Sequence, residues 1–166
     1  MRALALIAAL AVLGLAAVGS SAGADQQSRQ KRLVAAGSAR FDAGGVSRVF
    51  RFSATQTRGT GATGWATVDY AKGPRLRVEI SCLRVAGNRA LVAGEISAAT
   101  VKAHVGRTAV FGVEDGGAPA KDRFTFVYIS DKGDAPFSCT RFPDAMALVK
   151  PTKGAARVGP STSESA

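Results

Sequence analysis

Apolar and polar positions alternate along most of the chain beyond residue 37. The clearest case is 75–85 (RLRVEISCLRV), where Leu76, Val78, Ile80 and Cys82 alternate with polar residues and are expected to face inward. A period of two is the side-chain repeat of a half-buried β-strand. On this pattern we predict strands over 46–54, 64–70, 75–85, 89–97, 108–114 and 123–130, with a last one within 145–150.

The longest of these segments changes phase near its end. Leu83 and Val85 are apolar and Arg84 between them is not, so the alternation slips by one residue. Such a slip inside a strand is what a β-bulge produces. Gly87 and Asn88 follow directly, and this pair is typical of a tight hairpin turn. The sequence therefore predicts a bulged β-hairpin.

Helical periodicity is nearly absent beyond the N-terminal segment, and 98–105 is long enough for one or two helical turns at most. Several short strands with Gly-rich turns define an all-β fold, and we predict an antiparallel β-sandwich or small β-barrel of about 7–8 strands. In segment 123–130, Phe124, Phe126 and Tyr128 share one face, and we expect all three to point into the core.

The N-terminus has the three-part layout of a secretory signal peptide. A short basic start precedes an apolar run over 3–18, which is shorter than the ~20 residues that cross a bilayer as a helix. Small residues at 22–24 precede Asp25, so we predict a signal peptide over 1–24, cleaved between Ala24 and Asp25. The mature chain would then lack a transmembrane segment and be secreted, extracellular or attached to the cell envelope.

The mature chain divides by composition into three parts. Segment 25–36 is polar and basic and is predicted to be a flexible lead-in, and 37–149 holds the strand pattern and is predicted to be a single β domain. Segment 150–166 has no apolar face, and we predict a disordered tail there.

The chain has two cysteines, Cys82 and Cys139, and one histidine. An even number of cysteines in an exported protein indicates a disulfide, with two buried free thiols as the alternative. So few sulfur and imidazole ligands exclude a zinc finger and an iron–sulfur cluster of the ferredoxin type.

Two motifs resemble a known family. Segment 81–90 (SCLRVAGNRA) with Gly94 after it, and segment 113–117 (VEDGG) followed by 122–124 (DRF), resemble the post-COAP domain of small secreted bacterial proteins, common in actinobacteria. The resemblance covers about 37–149 and implies an all-β fold. The motifs consist of turn and core residues, so they transfer no catalytic or binding residue to this chain.

Basic residues outnumber acidic ones, 22 to 12, for a formal charge of +10, or +9 after removal of the predicted signal peptide with its Arg2. A cationic face attracts anionic polymers through long-range electrostatics. Because Phe50 and Phe52 alternate with arginine and point away from it, we expect no specific nucleic-acid partner. The predicted face, which would meet an anionic envelope polymer or another extracellular protein, consists of Arg48, Arg51, Arg75, Arg77, Arg84, Arg89 and Arg123. A merely solubilising surface is the alternative.

Other chemistry has weaker support in the sequence. His104 is the only histidine and no Gly-x-Ser-x-Gly motif is present, so we predict neither an enzyme nor a cofactor. Glu114, Asp115 and Asp122 could meet at one hairpin end and hold calcium, but lysine and arginine intrude and EF-hand spacing is absent. We therefore predict no metal site, with calcium at these three residues as a minor alternative.

The favoured function is that of an exported, non-catalytic β-domain that binds or supports the cell envelope through its cationic face. The first alternative is a secreted enzyme or enzyme inhibitor whose site lies in loops 55–63, 98–107 or 115–122. The second is a barrel that holds a small ligand between aromatic side chains. The candidate lining residues are Phe50, Phe52, Phe124, Phe126 and Tyr128.

Overall fold

In the described part of the chain, nine antiparallel strands form one continuous sheet. The computed structural model describes residues 32–43, 46–57, 60–71, 73–130, 139 and 146–161, and the predicted signal peptide lies outside these ranges. The strand order is β7-β6-β5-β4-β3-β2-β1-β9, with β8 paired to β6. The strands are β1 (Arg32–Ala43), β2 (Val46–Thr57), β3 (Ala62–Tyr70), β4 (Arg75–Ala86), β5 (Arg89–Ala99), β6 (Thr108–Glu114), β7 (Arg123–Phe124), β8 (Tyr128–Ile129) and β9 (Lys153–Pro160).

The predicted fold class is confirmed. The sheet is antiparallel throughout and curls into a half-barrel, and Cys82 and Cys139 form the one predicted disulfide, with their Cα atoms 5.9 Å apart. Curling brings one face of the sheet inward, and the alternation in each strand places the apolar side chains on that inner face.

Aromatic rings fill the inner face at its centre. Phe50, Phe52, Phe111 and Phe124 are each at most 3% exposed. The Phe50 and Phe111 rings meet edge to face with centroids 4.6 Å apart, and Phe52 contacts both Phe111 and Phe124. Because these rings pack against one another, the geometry speaks against an open ligand cavity between them.

The predicted bulge lies in β4. Ile80 pairs with Gly94 and Cys82 pairs with Ala93, so Ser81 is the extra residue on β4. The bulge returns Leu83 to the inner core and places Cys82 on the outer face, so the expected inward position of Cys82 is wrong. The hairpin turn at Gly87-Asn88 is also confirmed, with Gly87 at φ +61°.

The disulfide ties Cys139 to the outer face of β5 and β6. Leu91, Ala93 and Val110 point outward there and are nonetheless buried, in contact with the two cysteines and Met146. Apolar side chains on this part of the outer face are therefore covered, whereas the outer positions of β2 to β4 are half-buried or exposed.

Two predicted boundaries are wrong. The predicted flexible lead-in covers 25–36, but β1 begins at Arg32. The predicted disordered tail covers 150–166, but β9 occupies Lys153–Pro160, so the β domain extends beyond the predicted 37–149 at both ends. These two strands pair with each other in antiparallel register over 33–40 and 153–160. Residues 25–31 and 162–166 lie outside the described ranges.

The expected strand over 123–130 is interrupted. Phe124 is fully buried as predicted, but Phe126 and Tyr128 are 41% and 43% exposed, so the predicted inward row of three is wrong. The cause is the break between β7 and β8, where the Thr125 hydroxyl accepts a hydrogen bond from the Gly112 amide. Within 146–150, only Val149 forms a bridge, to Phe124.

Helical structure in the described ranges consists of two single 3-10 turns, η1 (Lys102–His104) and η2 (Pro119–Lys121). No helix in these ranges has the length and apolar content that spanning a membrane requires.

Candidate anion-binding surface

Three of the predicted arginines converge on the outer face of β2 to β4. In the register of these strands, Arg51 lies opposite Thr67, and Thr67 lies opposite Arg77. In the next outward row, Asp69 lies opposite Arg75. The arginines are exposed because they alternate with buried residues such as Leu76 and Val78. We call Arg51, Arg75 and Arg77 the outer-face arginine patch.

One carboxylate lies within this patch. Asp69 is 3.6 Å from Arg51 and 3.5 Å from Arg75, so it bridges two guanidinium groups. The Arg75 side chain is 78% exposed, and water and salt weaken ion pairs between such exposed groups. Among the ion pairs of the described residues none involves Arg77, and the patch therefore keeps a positive surplus.

A shallow groove of about 440 Å³ adjoins the patch. Arg75, Arg77 and Lys102 supply positive charge along it, and Asp69 is its one acidic side chain. The loop that carries Lys102 is anchored to the start of β4 by two hydrogen bonds, each 3.0 Å long. The Thr100 hydroxyl accepts one from the Arg75 amide, and the Thr100 amide donates the other to the Arg75 carbonyl. Other lining residues are Thr67, Leu76, Ala98, Ala99 and Thr100.

A second basic area lies at the opposite end of the β4–β5 hairpin. Arg89 forms a 2.6 Å ion pair with Glu114, and Arg123 lies opposite Glu114 in the register of β6 and β7. A groove of about 530 Å³ is present there. Its charged lining residues are Glu114, Lys121, Arg123 and Lys150.

The predicted seven-arginine face does not exist as one surface. Arg48 shares the inward phase of Phe50 and Phe52, and its guanidinium lies 4.6 Å from the Phe126 ring centroid and 5.6 Å from that of Tyr70. Its Nε atom is buried without a hydrogen-bond partner. Arg48 therefore belongs to the inner side of the sheet.

Arg84 is exposed on β4, opposite Leu91 and beyond the bulge. Arg89 and Arg123 belong to the second basic area. The structure thus brings together Arg51, Arg75 and Arg77, and it adds Lys102, which the sequence did not single out.

The calcium alternative at Glu114, Asp115 and Asp122 is wrong. Asp122 is 1% exposed, and its two oxygens accept hydrogen bonds from the Gly116 and Ala156 amides at 2.8 and 2.7 Å. Asp115 accepts hydrogen bonds from the amides of Gly117 and Val158, and Glu114 pairs with Arg89. Within the described ranges no three His, Cys, Asp or Glu side chains are grouped as a metal site requires.

His104 is half-buried in η1, where its Nδ1 lies 3.5 Å from the guanidinium of Arg107. A cationic neighbour is not the carboxylate partner of a catalytic histidine.

Elsewhere, hydrogen bonds from Ser47 and then from Arg40, 3.0 Å away, lower the pKa of Asp42 below its ordinary value. This carboxyl lies at the β1–β2 turn and takes no part in the groove.

Trp65 is the one large aromatic side chain exposed on β3. It is 40% exposed and lies between Ser53 on β2 and Glu79 on β4, two residues from Thr67 of the groove. Alternation alone predicts this outward position. Which side chains flank it depends on the strand register, and that register requires the structure.

Comparison with family models, with curated proteins and with solved structures gave no match for this chain. The resemblance to the post-COAP domain thus stays a prediction based on the two motifs.

Proposed function

We propose that this protein is an exported bacterial β-domain without catalytic activity that binds an anionic polymer of the cell envelope, or an acidic extracellular partner, through its outer-face arginine patch. The observation that carries the proposal is the groove in which Arg75, Arg77 and Lys102 face a single carboxylate, Asp69. Membership of the post-COAP family is part of the same proposal.

The charge arrangement supports binding of a polymer more than of a small, deeply bound ligand. The groove is shallow and open, and its cations are exposed. An exposed cation paired with a single carboxylate contributes little to the free energy of folding. The electrostatic potentials of several cations nevertheless add up at long range and attract an anion. An extended anion with repeated charges can contact several of them at once.

The disulfide is compatible with an extracellular location. Disulfides persist in oxidising compartments and are rare in the reducing cytosol. Together with the predicted signal peptide over 1–24, the Cys82–Cys139 bond supports export.

The test is charge reversal within the groove. The double variant Arg75→Glu/Arg77→Glu should lower the affinity of the mature protein for a soluble polyanion such as polygalacturonate by at least about tenfold, because it changes the local charge by four units. Isothermal titration calorimetry at low salt measures the effect, and circular dichroism checks that the fold is kept.

The matched control is Lys121→Glu/Lys150→Glu. It changes the total charge by the same amount, but at the second basic area, where both lysines are exposed. We expect it to lower the affinity by no more than about threefold. Equal losses in the two double variants would show that net charge governs binding, and an unchanged affinity for Arg75→Glu/Arg77→Glu would refute the proposed site.

A further inference from the structure

Side chains that point outward at the same register position form a row across neighbouring strands. The row that contains Trp65 differs in chemistry from the adjacent row that contains Arg51 and Arg77. Across the sheet, Ser53, Trp65, Glu79 and Glu95 lie opposite one another in turn. The row therefore offers an exposed indole ring between a hydroxyl and a carboxylate. The adjacent row, with Arg51, Thr67 and Arg77, offers positive charge.

We propose that these two rows form a binding site for an acidic polysaccharide, in which a sugar ring stacks on Trp65 while the acid groups of the chain meet the outer-face arginine patch and Lys102. This inference rests on the function proposed above and names the chemical class of its ligand. The observation that carries it is the exposed indole beside carboxylate and guanidinium side chains on the outer face of the sheet.

The side chains around Trp65 favour a sugar over other anionic surfaces. The apolar C–H face of a sugar ring packs on an indole, and its hydroxyl groups donate hydrogen bonds to carboxylates such as Glu79. Glu79 and Glu95 are both exposed in the same row and repel the charged groups of any polyanion. The hydroxyl groups of a sugar ring can donate hydrogen bonds to them, whereas the phosphate groups of a nucleic acid or a membrane only accept. A sugar chain with acid groups uses both kinds of side chain.

The dimensions suit a short length of polymer. Trp65, Thr67 and Asp69 point outward along β3, and the span from first to last is about 13 Å at the usual rise per residue. Arg77 and Arg75 accompany them on β4, so a chain laid along this strip passes from the indole to the groove. Stacking and charge pairing would then act on neighbouring parts of one ligand.

The chain offers a direct reporter, because Trp65 is its only tryptophan. The mature protein should show a change in tryptophan emission on titration with polygalacturonate and a much smaller one with polyglutamate, which has carboxylates but no sugar rings. In calorimetry, Trp65→Ala should lower the affinity for polygalacturonate about tenfold and that for polyglutamate less than about twofold.

Two further variants separate stacking from folding. Trp65→Phe keeps an aromatic ring and should recover most of the affinity for polygalacturonate, while Tyr128→Ala, at an exposed aromatic residue on β8 (43% exposed), should leave it unchanged. Circular dichroism should show the native β-sheet for all of them.

The outcomes distinguish this inference from the function it rests on. If Trp65→Ala weakens both polymers equally, or neither, the sugar site is refuted while polyanion binding stands. If single-stranded DNA or vesicles of phosphatidylglycerol bind with a larger dependence on Trp65 than polygalacturonate does, the ligand is a nucleic acid or a membrane and the inference is wrong. If the protein binds none of these polyanions, the proposed function itself fails.

Discussion

Asp122 connects two parts of the chain that the sequence leaves separate. Its buried carboxylate accepts hydrogen bonds from Gly116 in the β6–β7 connection and from Ala156 in β9. Asp115 makes a similar, longer contact to Val158 of the same strand. Amides of β9 that point away from β1 are thereby satisfied by side chains, which matters because an edge strand otherwise presents unpaired donors.

Replacing Asp122 by alanine should therefore destabilise the fold by about 3 kcal/mol, because two amides lose a charged acceptor in a buried position. Asp115→Ala should cost about 1 kcal/mol, since Asp115 is less buried and its bond to Val158 is longer, at 3.2 Å. Urea unfolding of the oxidised protein measures both values. A smaller loss for Asp122→Ala than for Asp115→Ala would contradict this account.

Sequence reasoning places Glu114, Asp115 and Asp122 at one hairpin end, and they do lie at the end of β6 and in its connection to β7. It could not identify Ala156 and Val158 as partners, because they lie 34 and 43 residues further along in a segment without an apolar face. Carboxylates at a turn have the same local pattern whether they cap the turn, bind a cation or close an edge strand. Only the partner distinguishes these cases.

The β4–β5 hairpin is the element that the sequence predicted in most detail. The phase slip, the turn at Gly87-Asn88 and the alternation on both strands are all present in the structure. Gly94 faces the bulge, where an added Cβ atom would clash with the Glu79 carbonyl oxygen and lie 2.7 Å from the Ile80 Cα. The backbones thus approach more closely here than any side chain allows.

Gly94→Ala should destabilise the protein by about 1–3 kcal/mol, because the strands must separate to admit a methyl group in the middle of the sheet. The control is Gly61→Ala, at an exposed position where the added Cβ meets nothing within 4 Å and which is not among the glycines with positive φ. That change should stay within about 0.5 kcal/mol. Thermal unfolding compares the two, and equal midpoints would contradict the proposed close approach.

Strands β1 and β9 were missed for a physical reason. Their inward positions are mostly small, as at Ala35, Gly37 and Ala156, so burial produces little hydrophobic contrast in the sequence. Strand β9 is held by backbone pairing with a partner distant in the chain, since Gly37 lies opposite Ala156, whereas β1 also pairs with β2 directly after it. A pattern read within a window of ten residues carries no information on such a partner.

At the scale of the whole molecule, the sequence shows which residues carry positive charge. It does not show that these residues are distributed over separate parts of the surface. Alternation assigned Arg51, Arg75 and Arg77 to polar faces correctly, yet their convergence follows from the order β2-β3-β4. The same alternation, followed two residues back from Phe50, indicates that Arg48 points inward. The cover over Leu91 and Val110 depends on the disulfide and could not be foreseen from strand patterns.

Electrostatic binding and folding should respond differently to salt. The polyanion affinity of the mature protein should fall at least about tenfold between roughly 0.05 and 0.5 M NaCl, because the arginine patch acts through long-range fields that salt screens. The free energy of unfolding should change by less than about 1 kcal/mol, since the ion pairs at Asp42, Asp69 and Glu114 involve exposed arginines, which contribute little to stability. Calorimetry and urea unfolding in the same buffers measure the two quantities.

Arg75→Glu/Arg77→Glu should flatten the salt dependence of binding, whereas Lys121→Glu/Lys150→Glu should retain it. An affinity that does not vary with salt would mean that the surface binds its partner by contacts other than charge.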